Sequence, residues 1–536
     1  MLLKRGVLAA LLAGAVVSVG ELAGWHGVDT AASVYRVNAY RSHGFQLWDF
    51  AWYGGHWTLG YSVIYPPLAS AVGIGLLAVV SAAMAAAFFD CLARAHLGRG
   101  GAAASYLFAL GTLVQSAIGQ YPFLTGEAFA LAALWALSVL SARYQLTALV
   151  LAAACTLSSP LTGAFLALCV AAWLIGPWIG GVHPSRGRLV LGAPTIVVAI
   201  FPVIAGVVLF PGDGPMPYPV LDWAWETVIA SIIALLAGRR YPAVTAGAAM
   251  WAIVACASVT IPSALGGNVG RIEDVAALPF AVALASGSLR LSGRTLSRRL
   301  LGVAAAIPLA LSEWLPAVGA ITVAPALAST QRAFYLPLDA ELASLTRNAP
   351  ASRVEVVPTE YHWEAAYVAP AMPLARGWER QLDTAYNPIF YNSAPLTPSS
   401  YRSWLQDNGV TFVALPHAPL DFAGTAEANL VSSGKVPGLT VVWATPQWSL
   451  YKVAGATGIV AGPARLVRTS TDKMSLDVTG NGSVEIRVRY SPDWVVSTGS
   501  GCIAKANGSW MTLERAKPGL VALTLSLLHP GSSSCR

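Results

Sequence analysis

Long apolar runs separated by short polar segments fill the chain from its start to about residue 321. Most runs are about 15 to 22 residues long, close to the roughly 20 with which an α-helix crosses the hydrocarbon layer of a bilayer. The pattern predicts an α-helical polytopic membrane protein with about eleven transmembrane helices. The predicted helices cover residues 6–24, 68–90, 102–119, 123–141, 145–158, 161–178, 189–210, 226–238, 242–261, 274–289 and 300–321.

Beyond residue 321 the apolar runs shorten to strand length, and Pro, Gly, Ser and Asn separate them. Strands are predicted at 353–357 and 411–415, with a helix at 398–408 between them. From residue 459 onward, alternating stretches predict a β-sandwich. We therefore expect a transmembrane domain at 1–321 with a long first outer loop at 25–61, an extracytoplasmic α/β domain at 322–456 and an extracytoplasmic β-sandwich at 457–536.

The few charged residues predict how the helices are oriented. Only 11% of the residues are charged, against roughly 25% in average soluble domains, so water is not the main solvent of this chain. With the N-terminus in the cytoplasm, the outer loops hold only Arg36, Arg41 and Arg271, as the positive-inside rule requires. We expect a multi-pass protein of the plasma membrane with its C-terminal domain outside. The cytoplasmic segments hold Lys4, Arg5, Arg94, Arg99, Arg143, Arg186, Arg188, Arg239, Arg240, Arg290, Arg294, Arg298 and Arg299.

The same distribution excludes several classes of function. The formal net charge of +7 comes largely from the short cytoplasmic loops, so it indicates orientation in a lipid bilayer and not a nucleic-acid partner. The sequence has no phosphate-binding loop, no dinucleotide-binding glycine motif after a strand and no zinc-ligand spacing. ATP-driven transport by this chain alone is therefore disfavoured.

Cysteine usage fits an exported tail. Cys502 and Cys535 are the two cysteines after residue 321, and outside the cytoplasm they could pair. The other four cysteines lie in or beside apolar runs, where a thiol packs as a small apolar group. We predict a disulfide between Cys502 and Cys535.

The first outer loop concentrates carboxylates, histidines and aromatic rings at one membrane face. Asp29 and Asp49 are candidate catalytic bases, and Trp52, Tyr53 and His56 could bind a sugar. Asp49 and His56 could also hold a divalent cation such as Mg²⁺ or Mn²⁺. The alternative for the rings is an interfacial aromatic belt.

Further candidates lie outside that loop. Arg271 follows the glycine-rich segment 266–270, where a lipid headgroup could approach the backbone and bind Asn268, although a flexible loop explains the glycines equally well. Arg271, Arg36 or Arg41 could stabilise a phosphate. Glu127 is an ionisable group at the edge of a membrane run, which is costly and so indicates function, although it could also reach the interface. In the tail, Trp378 and Arg380 belong to a charged aromatic stretch that could bind substrate or form local ion pairs on a solvated face.

The arrangement of these features resembles the C-type membrane glycosyltransferases, which take sugars from polyprenyl-phosphate carriers. The shared features are an acidic residue after the first helix, a surface helix, a Trp- and Gly-rich loop, many helices and an outer domain. The string WYGGH at 52–56, SALGGNVGR at 263–271 and RGWERQLD at 376–383 are closer to a group of actinobacterial polytopic membrane proteins.

The glycosyltransferase resemblance implies roles for particular residues. Asp29 matches the family's acidic residue and would be the general base for the acceptor hydroxyl, with Asp49 as the second candidate. Asp29 is followed by Thr30, which departs from the paired acidic residues of many such enzymes. The donor would be a polyprenyl-phosphate-linked sugar and the acceptor an envelope glycan or glycolipid. The alternatives are a transporter or flippase of an envelope precursor, and a non-catalytic envelope assembly protein.

Overall fold

The computed structural model describes residues 6–212, 214–286, 293–391 and 394–535, apart from the side chains of Arg99 and of residues 293–303. Part of the charge pattern that predicts the orientation therefore lies outside the described residues. This applies to Lys4, Arg5 and Arg290, and to the side chains of Arg99, Arg294, Arg298 and Arg299.

The chain divides into two compact units. The first, here called the helical unit, consists of Met1–Ser33 and Leu59–Ala326. The second, here called the strand-rich unit, consists of Val34–Thr58 and Leu327–Arg536. Most of the loop 25–61, which the sequence pattern assigned to the transmembrane domain, is thus grouped with the C-terminal residues.

The helical unit is built almost entirely from α-helices. A stretch of π-helix at Glu273–Ala277 precedes α12, and a 3₁₀ turn at Gly266–Gly270 follows α11. The helices are α1 (Val7–Leu22), α2 (Thr30–His43, which ends in the strand-rich unit), α3 (Tyr65–Val72), α4 (Ile74–His96), α5 (Gly101–Ile118), α6 (Tyr121–Ser138), α7 (Gln145–Ser158), α8 (Pro160–Ile179), α9 (Arg186–Leu209), α10 (Val220–Ala237), α11 (Pro242–Thr260), α12 (Leu278–Ser286) and α13 (Gly293–Thr322).

The described helices have the lengths and the apolar composition of a multi-pass membrane protein. Seven of them are long and apolar enough to cross a membrane, and α1 is apolar but shorter. Each of the eleven predicted runs overlaps a helix, but eleven membrane crossings and the orientation of the chain stay predictions. The seven spans are Ile74–His96, Gly101–Ile118, Pro160–Ile179, Arg186–Leu209, Val220–Arg240, Pro242–Thr260 and Ala304–Ala326.

Proline and glycine set helix boundaries that the hydrophobic pattern does not show. The predicted run 68–90 is two helices in the structure, since the chain breaks at Gly73 between α3 and α4. Prolines near the first helical position begin α3, α6, α8 and α11, where the missing N–H is not needed.

The first part of the strand-rich unit is a mixed four-stranded sheet with helices. The strand order is β3-β4-β6-β5, with β3 parallel to β4 and the other pairs antiparallel. The predicted helix at 398–408 is α17, which Thr397 begins with a capping box. The elements are α14 (Arg332–Thr346), β3 (Arg353–Val356), α15 (Glu364–Tyr367), α16 (Arg380–Tyr386), α17 (Pro398–Asp407), β4 (Val410–Pro416), α18 (Phe422–Ser432), β5 (Leu439–Ala444) and β6 (Trp448–Val453).

The last eighty residues form two antiparallel four-stranded sheets. Their orders are β12-β13-β10-β7 and β11-β14-β9-β8, and alternate side chains such as Met474, Leu476 and Ile486 are buried. A disulfide joins Cys502 to Cys535. The strands are β7 (Val460–Ala461), β8 (Ala464–Ser470), β9 (Lys473–Val478), β10 (Gly482–Arg489), β11 (Trp494–Thr498), β12 (Cys502–Lys505), β13 (Trp510–Ala516) and β14 (Gly519–Leu525).

A short hairpin from the first loop completes the strand-rich unit. Strands β1 (Trp48–Asp49) and β2 (His56–Trp57) pair so that Asp49 lies opposite His56. Backbone hydrogen bonds run from Leu374 N–H to the Ala51 carbonyl and from Arg489 N–H to the Gly54 carbonyl. Residues 48–57, here called the anchor segment, are therefore bonded to the parts of the chain around Leu374 and Arg489.

Candidate functional site

Asp29 lies where the chain leaves α1 and enters α2 in the helical unit. Its backbone N–H donates to the carbonyl of Ile118, with N···O 2.9 Å, and that of Gly27 donates to the carbonyl of Ala117. These two bonds fix the loop to the end of α5. Backbone atoms therefore hold Asp29 in place, and its carboxylate is left for other partners.

The carboxylate of Asp29 faces the guanidinium of Arg271. The Asp29 Oδ2 and Arg271 Nη2 atoms are 3.6 Å apart, and the side chains are 28% and 21% exposed. The Arg271 guanidinium also lies over the ring of Phe123, 5.5 Å from its centroid. The structure thus brings together, at a partly exposed point, a carboxylate that can take a proton and a cation that can stabilise an anion.

The glycine-rich segment before Arg271 is closely packed. A Cβ added at Gly266 would collide with the backbone of Met216, and one at Gly270 would collide with the Glu226 carboxylate. Close packing of the backbone against its neighbours therefore accounts for these glycines. The Asn268 amide donates to the Ala264 carbonyl four residues earlier, 3.2 Å away, which closes its own turn.

Two carboxylates that the sequence interpretation did not single out are held by aromatic donors. Glu273, in the π-helical stretch, accepts from Trp225 Nε1 at 2.6 Å and from Ser312 Oγ at 2.9 Å. Glu226 accepts from the Tyr218 hydroxyl. The signal that could have found them is the same that found Glu127, an acidic residue beside an apolar run. Glu127 itself is buried in α6.

Asp49 lies in the strand-rich unit and is buried. Its Oδ1 accepts from the Tyr35 hydroxyl at 3.0 Å and from the Ala51 N–H at 2.8 Å. A carboxylate with two protein donors and little exposure stabilises the turn it begins. The environment of Asp49 is therefore that of a structural residue more than that of an accessible base.

His56, opposite Asp49, stacks on Trp52 with ring planes 7° apart, and its buried Nδ1 has no hydrogen-bond partner among the described residues. A divalent cation such as Mg²⁺ takes several oxygen ligands, and these two side chains alone do not supply them. Across the described chain, the one group of three possible ligands that lie close together is Cys502, Glu514 and Cys535, and its cysteines form the disulfide.

Trp52 and Tyr53 are fully buried. Trp52 stacks on Tyr35 at a centroid distance of 4.3 Å, and its Nε1 donates to the Ala365 carbonyl. The Tyr53 hydroxyl bonds both backbone groups of Glu379. These rings act in the structure as packing and hydrogen-bonding contacts of the strand-rich unit, and so neither as an exposed sugar platform nor as an interfacial belt.

The two glycines of the anchor segment are required by geometry. Gly54 and Gly55 have φ angles of 80° and 111°, in the region that favours glycine. A Cβ at Gly54 would collide with Trp510, and one at Gly55 would collide with Trp48. Any larger residue at either position would force this tightly packed turn apart.

Trp378 and Arg380 lie in a second set of contacts in the same unit. Trp378 stacks on His362 with centroids 3.5 Å apart. Arg380 makes a two-pronged ion pair with Asp421, with Nη2–Oδ2 at 2.8 Å and Nη1–Oδ1 at 3.2 Å. His362 Nε2 lies 3.3 Å from the same carboxylate. Arg380 is therefore an ion-pair residue in the structure, but its partner lies 41 positions away and is buried, so this is not the predicted local pair on a solvated face.

Arg376 is the centre of a buried charge cluster. Its guanidinium donates to Asp383, with Nε–Oδ1 at 3.0 Å, and to Glu427, with Nη1–Oε2 at 3.2 Å, and it lies 3.9 Å from Glu355. The Tyr401 hydroxyl donates to Glu427 at 2.7 Å. Three carboxylates around one arginine leave excess negative charge in the interior, so protonation of this cluster depends strongly on its surroundings.

Burial and charge shift the pKa values in this cluster. Burial raises the pKa of Glu427 to about 7, although Arg376 opposes the shift. Burial and the neighbouring charge of Glu427 raise the pKa of Glu355. For Asp383, burial raises the pKa, but the Arg376 guanidinium more than offsets this and the net shift is downward. Glu427 is thus the member that takes up a proton near neutral pH, and the raised pKa of Glu355 favours its protonated form as well.

The pKa values of His362 and Asp421 are shifted in opposite directions. Burial lowers the pKa of His362, but the carboxylates of Asp421 and Glu364, each 3.3 Å from a ring nitrogen, outweigh this effect, so the net shift is upward. Burial raises the pKa of Asp421, but His362 and Arg380 lower it by more than burial raises it. The Asp421 carboxyl therefore stays ionised. The raised pKa of His362 and the lowered pKa of Asp421 both favour an imidazolium–carboxylate contact.

The predicted site residues divide between the two units. The helical unit holds Asp29, Arg271, Asn268 and Glu127, and it brings the first two together. The strand-rich unit holds the other predicted residues, in mostly buried contacts. They are Asp49, Trp52, Tyr53, His56, Trp378 and Arg380.

No protein-family model and no curated protein matches this sequence. Among solved structures, the fold is similar to one described as the single-particle cryo-EM structure of arabinofuranosyltransferase AftD from Mycobacteria, at 15% sequence identity and a TM-score of 0.49. The match covers 83% of this chain and 40% of that chain, so this chain spans less than half of its length. At this level the likeness carries no argument about activity.

Proposed function

We propose that this chain is a membrane glycosyltransferase that moves a sugar from a polyprenyl-phosphate donor to an envelope glycan or glycolipid at the outer face. The proposal rests on the Asp29–Arg271 pair, which supplies from two separate elements the two groups that this reaction needs. It also rests on the seven apolar helices, which would place the pair beside a lipid-linked donor.

In the proposed reaction, the Asp29 carboxylate takes the proton of the acceptor hydroxyl as that oxygen attacks the anomeric carbon. The bond between the anomeric carbon and the phosphate oxygen breaks, and the bonding electrons leave with the polyprenyl phosphate. Arg271 stabilises the negative charge that develops on that phosphate. The products are the extended acceptor, polyprenyl phosphate and one proton on Asp29.

The geometry of the pair suits both roles. At 3.6 Å the closest nitrogen and oxygen are beyond hydrogen-bond length, so the pair is loose. A guanidinium has five N–H donors, and most of those of Arg271 stay available for phosphate oxygens. Phosphate binding at Arg271 would draw the cation from Asp29 and leave the carboxylate a stronger base.

Asp49 is assigned no chemical step in this proposal. Its carboxylate already accepts two hydrogen bonds and is buried among Tyr35 and the anchor segment. A base must reach the proton it abstracts, which favours the more exposed Asp29. Asp49→Asn is therefore expected to affect stability and to leave the turnover of the folded protein near that of wild type.

The test is transfer of radiolabelled sugar from a panel of polyprenyl-phosphate donors to membrane acceptors by the purified protein. Asp29→Asn is expected to lower the rate about 10²- to 10⁴-fold. The matched control is Asp407→Asn, the same change at an exposed position on α17, which should transfer at the wild-type rate. Transfer by Asp29→Asn at the wild-type rate would sink the proposal.

A second candidate function, transport of an envelope precursor, is favoured by one observation. Buried carboxylates with hydrogen-bonding aromatic partners, Glu226 and Glu273, occur in the helical unit, and such groups often mark transport pathways. Liposomes containing the protein would distinguish the two functions, since a transporter moves a labelled precursor across the bilayer without forming a new glycosidic bond.

A further inference from the structure

Two arginines buried in the strand-rich unit have no carboxylate partner among the described residues. Arg353 is 1% exposed and Arg489 is 6% exposed. Both donate to backbone carbonyl oxygens, as from Arg353 Nη1 to Asn408 at 2.9 Å and from Arg489 Nε to Tyr53 at 2.9 Å. Carbonyl oxygens solvate a guanidinium but do not neutralise its charge.

A buried charge without a counter-ion is costly, so this region holds uncompensated positive potential. Arg487 adds a third guanidinium nearby. It pairs with Glu485, whose side chain is 44% exposed to solvent. Burial, and then the charges of Arg489 and Arg487, lower the pKa of Arg353 to about 9. The shift reports the same excess of positive charge that the contacts show.

Arg353 also lines a cavity in this unit. The cavity has a volume of about 290 Å³, near the lower end of the range for small-molecule sites, and is large enough for a single sugar ring. Phe50, Met372 and Leu466 supply apolar surface, while Thr346 and Thr469 supply hydroxyl groups. The Nε of Arg353 is buried and has no hydrogen-bond partner in the described structure.

We propose that this cavity binds one sugar unit that carries a phosphate or a carboxylate. The apolar face of the ring would pack against Phe50, and the ring hydroxyls would bond the two threonines. The anionic group would be attracted by Arg353 through the low-dielectric wall of the cavity. The site uses neither Asp29 nor Arg271, so it stands independently of the proposed transfer reaction.

Binding would be measured by titration calorimetry on the purified full chain that carries Arg271→Gln, so that the phosphate site proposed above does not contribute. The probes are glucose 1-phosphate, glucuronic acid, glucose and inorganic phosphate. We expect at least one of the two charged sugars to bind in or below the millimolar range, at least about tenfold more tightly than glucose and inorganic phosphate. Preference for glucose 1-phosphate would indicate a sugar phosphate, and preference for glucuronic acid an acidic glycan.

A cavity-filling variant identifies where the probe binds. Thr469→Trp, on the edge strand β8, should abolish binding without touching the buried arginines. Thr440→Trp, the same change at an exposed position on edge strand β5, should leave binding intact and controls for the added ring. The inference is overturned if neither charged sugar binds, if glucose or inorganic phosphate binds equally well, or if Thr469→Trp binds as wild type does.

Discussion

The Tyr53 hydroxyl bonds both backbone groups of Glu379. It accepts from the Glu379 N–H at 2.9 Å and donates to the Glu379 carbonyl at 3.1 Å. The two residues are 326 positions apart, and Arg36 pairs with the Glu379 side chain as well. One phenol thus satisfies two backbone groups and joins the anchor segment to the 376–383 stretch.

Removing this hydroxyl is expected to destabilise the strand-rich unit. Tyr53→Phe leaves the N–H and the carbonyl of Glu379 without their partner while it keeps the ring, so we expect a loss of about 1 to 3 kcal/mol in the free energy of unfolding. Denaturant unfolding followed by tryptophan fluorescence measures it. Tyr451→Phe, on β6, is the control at a partly exposed position and should change stability by less than about 0.5 kcal/mol. Equal stability of the two variants would contradict the structural role of Tyr53.

The buried cluster around Arg376 should respond more strongly than a surface pair. Arg376→Met leaves three buried carboxylates without their cation, and we expect a loss of about 3 to 5 kcal/mol. Arg465→Met removes a cation that is 75% exposed and pairs with Asp477 at the surface, for which a loss of at most about 1 kcal/mol is expected. Comparable losses in the same unfolding measurement would show that the cluster does not stabilise the interior.

The sequence predicts the elements of this protein better than it predicts the roles of the side chains. Apolar length and period identified a helix for every long run and many strands of the tail, because these patterns are local, but they did not predict β7, β11 and β12. The contact of Tyr53 with Glu379 is not local, and no spacing in the sequence reveals a bond across 326 positions. The string at 52–56 could therefore be read as a site, although its glycines and rings are set by packing.

The contacts of the candidate site could not be predicted from the sequence either. Asp29 and Arg271 were both chosen from the sequence, but only the folded helical unit pairs them. Glu273 was missed, and its π-helical turn and its bond to Trp225 arise from packing between helices, which the sequence pattern does not show.

The pKa shifts predict that the strand-rich unit is most stable in mildly acidic solution. Glu355, Glu427 and His362 have folded-state pKa values above their ordinary ones, so their stabilisation is lost as the pH rises, for Glu427 through about 7. Asp383 and Asp421 have lowered pKa values, so their stabilisation is lost as the pH falls below about 4.

Thermal unfolding of the detergent-solubilised protein between pH 4 and 8 checks this expectation. The midpoint temperature of unfolding should fall as the pH rises from about 6 to 8. Glu427→Gln cannot ionise but can still accept a hydrogen bond from Tyr401, so it should reduce that fall. Asp477→Asn, at the exposed pair, serves as the control and should keep the wild-type profile. A wild-type midpoint that rises across this interval would mean that burial does not raise the pKa values of Glu355 and Glu427.

Arg271 is expected to be required for transfer, and two substitutions distinguish the effect of its charge from the effect of its planar shape. Arg271→Gln removes the cation that would stabilise the leaving phosphate, and we expect kcat to fall about 10²- to 10³-fold, as when a preorganised charge-stabilising donor is lost. Arg271→Lys keeps the charge but lacks the planar set of donors, so an intermediate rate is expected. Arg143→Gln, at an exposed position between α6 and α7, controls for the loss of a positive charge from the helical unit.

Because Asp29 also faces Arg271, the loss of activity in the Asp29→Asn/Arg271→Gln double variant should be smaller than the product of the two single losses. Fully multiplicative losses would mean that the two residues act at separate places, and the pair would no longer support the proposed reaction.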